Sequence, residues 1–113
     1  MPLFKIFTDK EGVYRFFLKT DSKHISFIST GYSSKFKCLQ KLELFKQQAF
    51  NNKCYIRLTT ERGDPYFKFI KSVTNEVVGD SELFLNRQMM EKKIIEIKEV
   101  VRVAKVDTLT YSG

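Results

Sequence analysis

The chain has one histidine, two cysteines and 13 acidic residues, and any side-chain catalysis or metal binding would draw chiefly on these. His24 follows Asp21-Ser22-Lys23 in a short polar stretch. An imidazole does catalytic work beside a nucleophile or a metal. No such partner lies near it in sequence, and it reads as an exposed turn histidine. Carboxylates for general acid–base work must face each other across a cleft. Asp9/Glu11 and Asp80/Glu82 have i, i+2 spacing but sit in or beside turns, where acids are ordinarily solvated. Asp80-Ser81-Glu82 also precedes a helix, whose positive end favours acids. Cys38 and Cys54 lie 16 residues apart without a CxxC, so with one histidine they cannot complete a zinc site. The glycines at 12, 31, 63 and 79 are isolated, and neither a P-loop nor GxGxxG is present. The residues assign no catalytic group, cofactor or metal, and the expectation is a protein that is not an enzyme.

A chain of 113 residues forms one compact unit and buries roughly two-thirds of its unfolded surface. With 11 Phe, 5 Tyr and no Trp, its core must be built largely from phenylalanine. No run of about 20 apolar residues exists, which excludes a helical membrane span. The opening MPLFKIFTDKEG has no long apolar run and no small-residue cleavage site, and it does not read as a secretory signal. A reducing, cytoplasmic setting with both thiols free is expected. The net charge is +7, with 9 basic and 4 acidic residues in 1–50 against 11 and 9 in 51–113. Such a surface attracts phosphate backbones, although dispersed lysines also keep edge strands soluble.

A shift of 52 residues lays the chain on itself. Tyr14 falls on Tyr66, Phe17 on Phe69, Lys19 on Lys71, Ser29 on Ser81 and Lys41 on Lys93. With a shift of 51, Phe4 meets Tyr55, Phe7 meets Leu58 and Gly12 meets Gly63. The change of shift is expected in the Gly63-Asp64-Pro65 turn, where an insertion costs least. In the first copy, Phe4–Thr8, Tyr14–Thr20 and Ile25–Ser29 read as strands. In the second, Tyr55–Thr59, Tyr66–Lys71 and Glu76–Val78 do. Tyr14–Thr20 alternates, with Tyr14, Phe16 and Leu18 on one face and Arg15, Phe17 and Lys19 on the other.

Each copy then enters a helix. Cys38, Leu42, Phe45 and Ala49 form one stripe at 3.6-residue spacing, and Met90, Ile94, Ile97 and Val101 form the other, 52 residues on. Ser33 or Ser34 caps the first helix and Asn86 the second. Val103–Leu109 alternates and reads as a terminal strand. Short turns between strands require antiparallel pairing. The expected fold is α+β: one domain over 1–113, made of two β(3)-α repeats at about 3–50 and 54–103. They share one mostly antiparallel sheet under pseudo-two-fold symmetry. Both helices pack on one face, and the extra strand covers about 103–109.

The run Gly12-Val13-Tyr14-Arg15-Phe16-Phe17-Leu18-Lys19, followed by Thr30-Gly31-Tyr32-Ser33-Ser34-Lys35, resembles the YegP-like family of small bacterial and archaeal proteins. The second copy, Pro65-Tyr66-Phe67-Lys68-Phe69-Ile70-Lys71 and then Asn75 to Phe84, is similar to that family's second signature. Leu85-Asn86-Arg87 departs from the family's small polar run before the helix. Leu, Ile and Phe also replace small helix residues. The resemblance implies β(3)-α-β units in tandem, or single units paired as dimers. They join in one sheet with their C-terminal strands exchanged. It brings no catalytic residue.

Two roles follow. The first is a non-catalytic module that binds a protein partner or pairs with itself, through a sheet face or an edge strand. The second is sequence-tolerant nucleic-acid binding, with aromatics stacking on bases and cations tracking phosphates. The face proposed for either carries Arg15, Phe17, Lys19, Lys68, Phe69 and Lys71. Exposure of both Phe17 and Phe69 would favour it, and burial would remove its stacking element.

Overall fold

The computed structural model describes residues 1–21 and 23–108. Strands β1 (Leu3–Thr8), β2 (Tyr14–Lys19) and β3 (Phe27–Ser29) lead into helix α1 (Lys35–Gln48). A single 3-10 turn at Asn52–Cys54 starts the second half. Strands β4 (Tyr55–Thr59), β5 (Pro65–Ile70) and β6 (Val77–Ser81) then lead into α2 (Arg87–Val100) and β7 (Lys105–Asp107). The helices begin where their caps dictate. Ser34 Oγ accepts from the Lys37 N–H at 3.1 Å, and Asn86 Oδ1 from the Met89 N–H at 2.9 Å.

All seven strands form one mixed sheet in the order β4-β5-β6-β3-β2-β1-β7. Every neighbouring pair is antiparallel except β1 with β7, which run parallel. The halves meet at β3 and β6, where Ser29 lies opposite Gly79. A Cβ on Gly79 would stand 2.3 Å from the Ile28 carbonyl oxygen and 2.6 Å from the Phe27 ring, so only glycine fits there.

The core lies between the helices and one sheet face. The helix stripes read from the sequence, Cys38/Leu42/Phe45/Ala49 and Met90/Ile94/Ile97/Val101, are buried in it. Phe45 is its hub, with ring centres of Phe27 and Phe69 at 4.6 Å and of Phe4 and Phe16 at 6.0 Å. Cys38 and Cys54 are free and buried, and burial pushes the Cys38 thiol up to about 12.

Several boundaries differ from the sequence reading. The third strand starts at Phe27 rather than Ile25, because Ser26 turns its N–H to the Leu18 carbonyl and its hydroxyl to Thr20. Strand β6 runs on to Ser81 because Gly79, Asp80 and Ser81 pair with β3. The last strand starts at Lys105, since the Val103 and Ala104 N–H groups still bond the Val100 carbonyl. Leu109, Thr110–Gly113 and Ser22 lie outside the described residues.

The largest correction concerns register. The 51-residue offset does not end at Gly63–Pro65. It persists through β5, where Phe67 and Phe69 take the core positions that Phe16 and Leu18 hold in β2. The offset becomes 52 only after the pairing slips between Phe69 and Ile70. Beyond the slip, Ser29 Oγ accepts from the Phe16 N–H, and Ser81 Oγ from the Phe67 N–H, each at 2.9 Å.

Candidate functional site

The helices cover one face of the sheet, and no element among the described residues covers the other. Strand alternation decides what the open face displays. From β1 and β2 it takes Leu3, Lys5, Phe7, Arg15, Phe17 and Lys19. From the centre it takes Ile28, Asp80 and Val77, and from the far side Tyr66, Lys68 and Ile56. The structure therefore brings together four of the six residues expected on a binding face. Arg15, Phe17, Lys19 and Lys68 share it. Phe69 does not: it is 0% exposed, under Phe45, because the one-residue difference in offset turns it to the core. Lys71 lies beyond the end of β5, in the turn before β6, where its N–H bonds the Glu76 carbonyl.

The cations on this face are tied down. Arg15 donates from Nε to Asp9 at 3.1 Å and from Nη1 to the Ser29 carbonyl at 3.3 Å. Lys68 Nζ reaches Asp80 at 3.0 Å, and Lys5 Nζ reaches Asp107 at 2.9 Å. Lys19 Nζ stands 5.8 Å from the centre of the Phe17 ring, which itself leans on Phe7 at 5.7 Å. Asp9 is held below the usual carboxylate range, chiefly by the Val13 N–H, with Arg15 and the Glu11 N–H adding to it. This explains the Asp9/Glu11 spacing: the Asp9 side chain caps its own turn rather than facing a second acid. Sequence reasoning missed these acids because Asp80 and Asp107 approach from other strands.

A second cluster forms where the β2–β3 loop and the segment after β6 meet α2. His24 is half-exposed and its Nε2 lies 3.0 Å from Glu82 Oε1, so the loop histidine has a partner after all. Lys93 of α2 reaches Thr20 Oγ1 at 2.9 Å and Glu96 Oε1 at 2.7 Å. Desolvation raises the Glu82 carboxyl above its ordinary value, against the opposing charges of His24 and Lys93. His24, Glu82, Lys93 and Glu96 line a cavity of about 260 Å³ together with the buried Phe84 and the half-exposed Met89. Only the Lys93–Glu96 helix spacing hinted at it in the sequence. Asp80 and Glu82, two residues apart, serve different places: the open face and this cavity.

Among the described residues, no group of three or more His, Cys, Asp or Glu side chains is placed to hold a metal ion. No helix among them is long and apolar enough to cross a membrane.

A two-helix, seven-stranded mixed sheet of this kind defines a class of small α+β proteins with solved members. The UPF0339 protein of Shewanella oneidensis superposes with a TM-score of 0.88 over 96% of this chain and 92% of its own, at 16% identity. YegP of E. coli, a protein of unknown function, also superposes with a TM-score of 0.88, over 99% and 96%, at 20% identity. In sequence, the chain is 31% identical over 103 residues to the UPF0339 protein in the ptx operon 5′ region of Stutzerimonas stutzeri, covering 91% of this chain and 92% of that one. A UPF0339 protein of Acinetobacter baylyi is 28% identical over 107 residues, covering 95% and 96%. No family model matches the chain. The chain belongs to the UPF0339 family, and the YegP-like resemblance read from its motifs holds.

Proposed function

We propose that this chain is a non-catalytic interaction module that associates through the open face of its sheet with a second copy of itself. One observation carries this reading: on a chain of net charge +7, the uncovered face mixes apolar side chains with cations that are mostly ion-paired, Lys5, Arg15 and Lys68 each holding an aspartate. Unpaired lysines would repel an identical face, and paired ones do not. Ile28, Val77 and Ile56 are each more than a third exposed and Phe17 lies beside Ile28, while the Asp80–Lys68 pair separates Ile28 from Ile56. The seven strands hold 34 residues, which at about 3.3 Å per residue and about 4.8 Å between strands make a face of roughly 540 Å². That is about two-thirds of the roughly 800 Å² per partner of a stable complex, the size of a weaker, concentration-dependent association. A two-fold axis would place the same patch on both sides.

The reading treats the chain as one domain of two tandem repeats, about 3–50 and 54–103, related by a pseudo-two-fold axis between β3 and β6. Its support is the paired serine bonds, the paired caps and the sheet order on either side of that junction. The free, buried thiols fit a reducing cytoplasm.

The test is sedimentation equilibrium over a wide concentration range, with wild type and Ile28→Asp. The expected result is a concentration-dependent dimer that the variant abolishes while its circular dichroism stays native. A wild type that stays monomeric at every concentration overturns self-association. Fluorescence anisotropy with labelled single-stranded RNA and DNA covers the alternative. Salt-sensitive binding that Phe17→Ala weakens would replace this reading with the nucleic-acid one.

A further inference from the structure

Four exposed aliphatic side chains gather where three segments meet. Ile25 comes from the β2–β3 loop, Leu83 and Leu85 from the segment after β6, and Met89 from the first turn of α2. The Phe27–Ser81 pairing continues as the Glu82 N–H donates to the Ser26 carbonyl at 3.0 Å, which lays Ile25 beside Leu83. His24, Glu82, Phe84 and Met89 line one cavity, so the four aliphatic residues lie in its lining or next to it in the chain. Folding does not account for their exposure. Leu85 stands just before the Asn86 cap, where an apolar side chain commonly folds back on the fourth residue of the helix, here Met90. Met90 is buried, but Leu85 is 85% exposed and Leu83 56%. A single exposed leucine is ordinary, whereas four aliphatic side chains in one patch mark a contact surface.

The cations around the patch are not paired. Lys23, Arg87 and Lys92 are exposed and form no ion pair among the described residues. The acids beside them are already engaged, Glu82 with His24, Glu91 with Arg57 and Glu96 with Lys93. Asp21 accepts the Lys23 N–H, and Glu61 and Arg62 in the adjoining β4–β5 turn offset each other. We propose that this patch docks on the surface of an anionic lipid bilayer, with Leu83 and Leu85 entering the headgroup region and Lys23, Arg87 and Lys92 resting on lipid phosphates. Aliphatic side chains flanked by cations are the chemistry of an interfacial anchor. A nucleic acid would ask for aromatic stacking, and none of the four apolar residues is aromatic. Protein hot spots favour tryptophan and tyrosine, which the patch also lacks. The patch shares no residue with the open face, so this inference stands apart from self-association.

The test is cosedimentation of the full chain with vesicles of equal parts phosphatidylcholine and phosphatidylserine, against vesicles of phosphatidylcholine alone, at low and moderate salt. Binding is expected to the mixed vesicles only and should weaken as salt rises. Leu83→Ser together with Leu85→Ser should weaken partition at least about tenfold, and replacing Lys23, Arg87 and Lys92 by Gln should weaken it about fivefold for each charge. Phe36→Ser, which removes an exposed aromatic side chain of α1 outside the patch, should leave binding unchanged. Native circular dichroism checks that the variants fold, and the comparison of the two vesicles needs no variant. Four results each overturn the proposal: no binding to the mixed vesicles, equal binding to both kinds, a loss with Phe36→Ser as large as with the leucine pair, or binding that survives the leucine substitutions. The last would leave charge alone at work and point to a polyanion such as single-stranded RNA.

Discussion

Strands β1 and β4 occupy matching places in the sheet, yet their outer edges are finished differently. Phe4 pairs with Leu18 as Tyr55 pairs with Phe69, and both outer strands pair antiparallel with an inner one. β1 is then covered by β7, which adds Lys105, Val106 and Asp107 in parallel beside Leu3, Phe4 and Lys5. Among the described residues, β4 has no such neighbour in the sheet. Its chain closes the edge from within. The Tyr55 N–H bonds the Asn52 carbonyl in the preceding 3-10 turn, and Arg57 Nη1 bonds the Tyr55 carbonyl. The same Arg57 is held by Glu91 of α2 and by Asn52. An exposed edge invites another strand. At Tyr55 both main-chain groups are already occupied, which blunts that end of the edge against another strand.

Removing β7 should have the largest effect. A chain ending at Ala104 loses the packing of Val106 and the Lys5–Asp107 pair, and should lose about 2–4 kcal/mol in urea unfolding. It should also aggregate with concentration as β1 becomes an open edge. Unchanged stability would show that β7 is not what finishes that side. Tyr55→Phe makes β4 more like β1 at its core position. It removes the buried bond from Tyr55 Oη to the Ala49 carbonyl at 2.7 Å and should cost about 1–2 kcal/mol, read from the same unfolding curves. Arg57→Ala should cost about 1 kcal/mol, since its pair with Glu91 is half-exposed. Its sharper readout is hydrogen exchange: the β4 edge should lose protection while β1 keeps it.

The smallest effect is in pH dependence. Arg57's hydrogen bond holds the Glu91 carboxyl below its ordinary value. Glu91's contribution is therefore complete above the unfolded carboxylate value and is lost as pH falls through the lower folded one. Glu82 has the opposite sign, because burial makes the folded chain hold that proton more tightly. Its influence on stability declines as pH rises from the ordinary value through the raised one. Urea midpoints followed from about pH 3 to about pH 8 should show Arg57→Ala flattening the acid limb. Glu82→Gln should remove the decline above it.

The helices were legible because their signals are local: a 3.6-residue stripe and a capping side chain within four residues of the groups it serves. The pairing of Phe17 with Phe69 failed for a physical reason. Phe16 and Phe17 are adjacent and both apolar, and Tyr66, Phe67 and Phe69 repeat the ambiguity, so alternation alone does not say which side is buried. Chance identities at a shift of 52 pointed one way. The backbone follows 51 until the slip after Phe69 and so turns the aromatics over. Four of the six residues lie on the open face: Arg15, Phe17 and Lys19 alternate cleanly, and Lys68, out of phase with Phe69, falls 51 residues after Phe17. The Glu82 cavity was not legible because the β2–β3 loop, the segment after β6 and α2 meet there only when the sheet closes.

The β1–β7 pairing also sets an order of events during synthesis. Lys5 and Asp107 touch across 102 residues of sequence. At about 5–20 residues per second, the ribosome finishes β7 roughly 5–20 s after β1 has been made. β2 can pair with one side of β1 almost at once. The other side must wait for the last strand, and during that interval a nascent chain offers an open β-edge to whatever chaperone or neighbouring polysome is at hand.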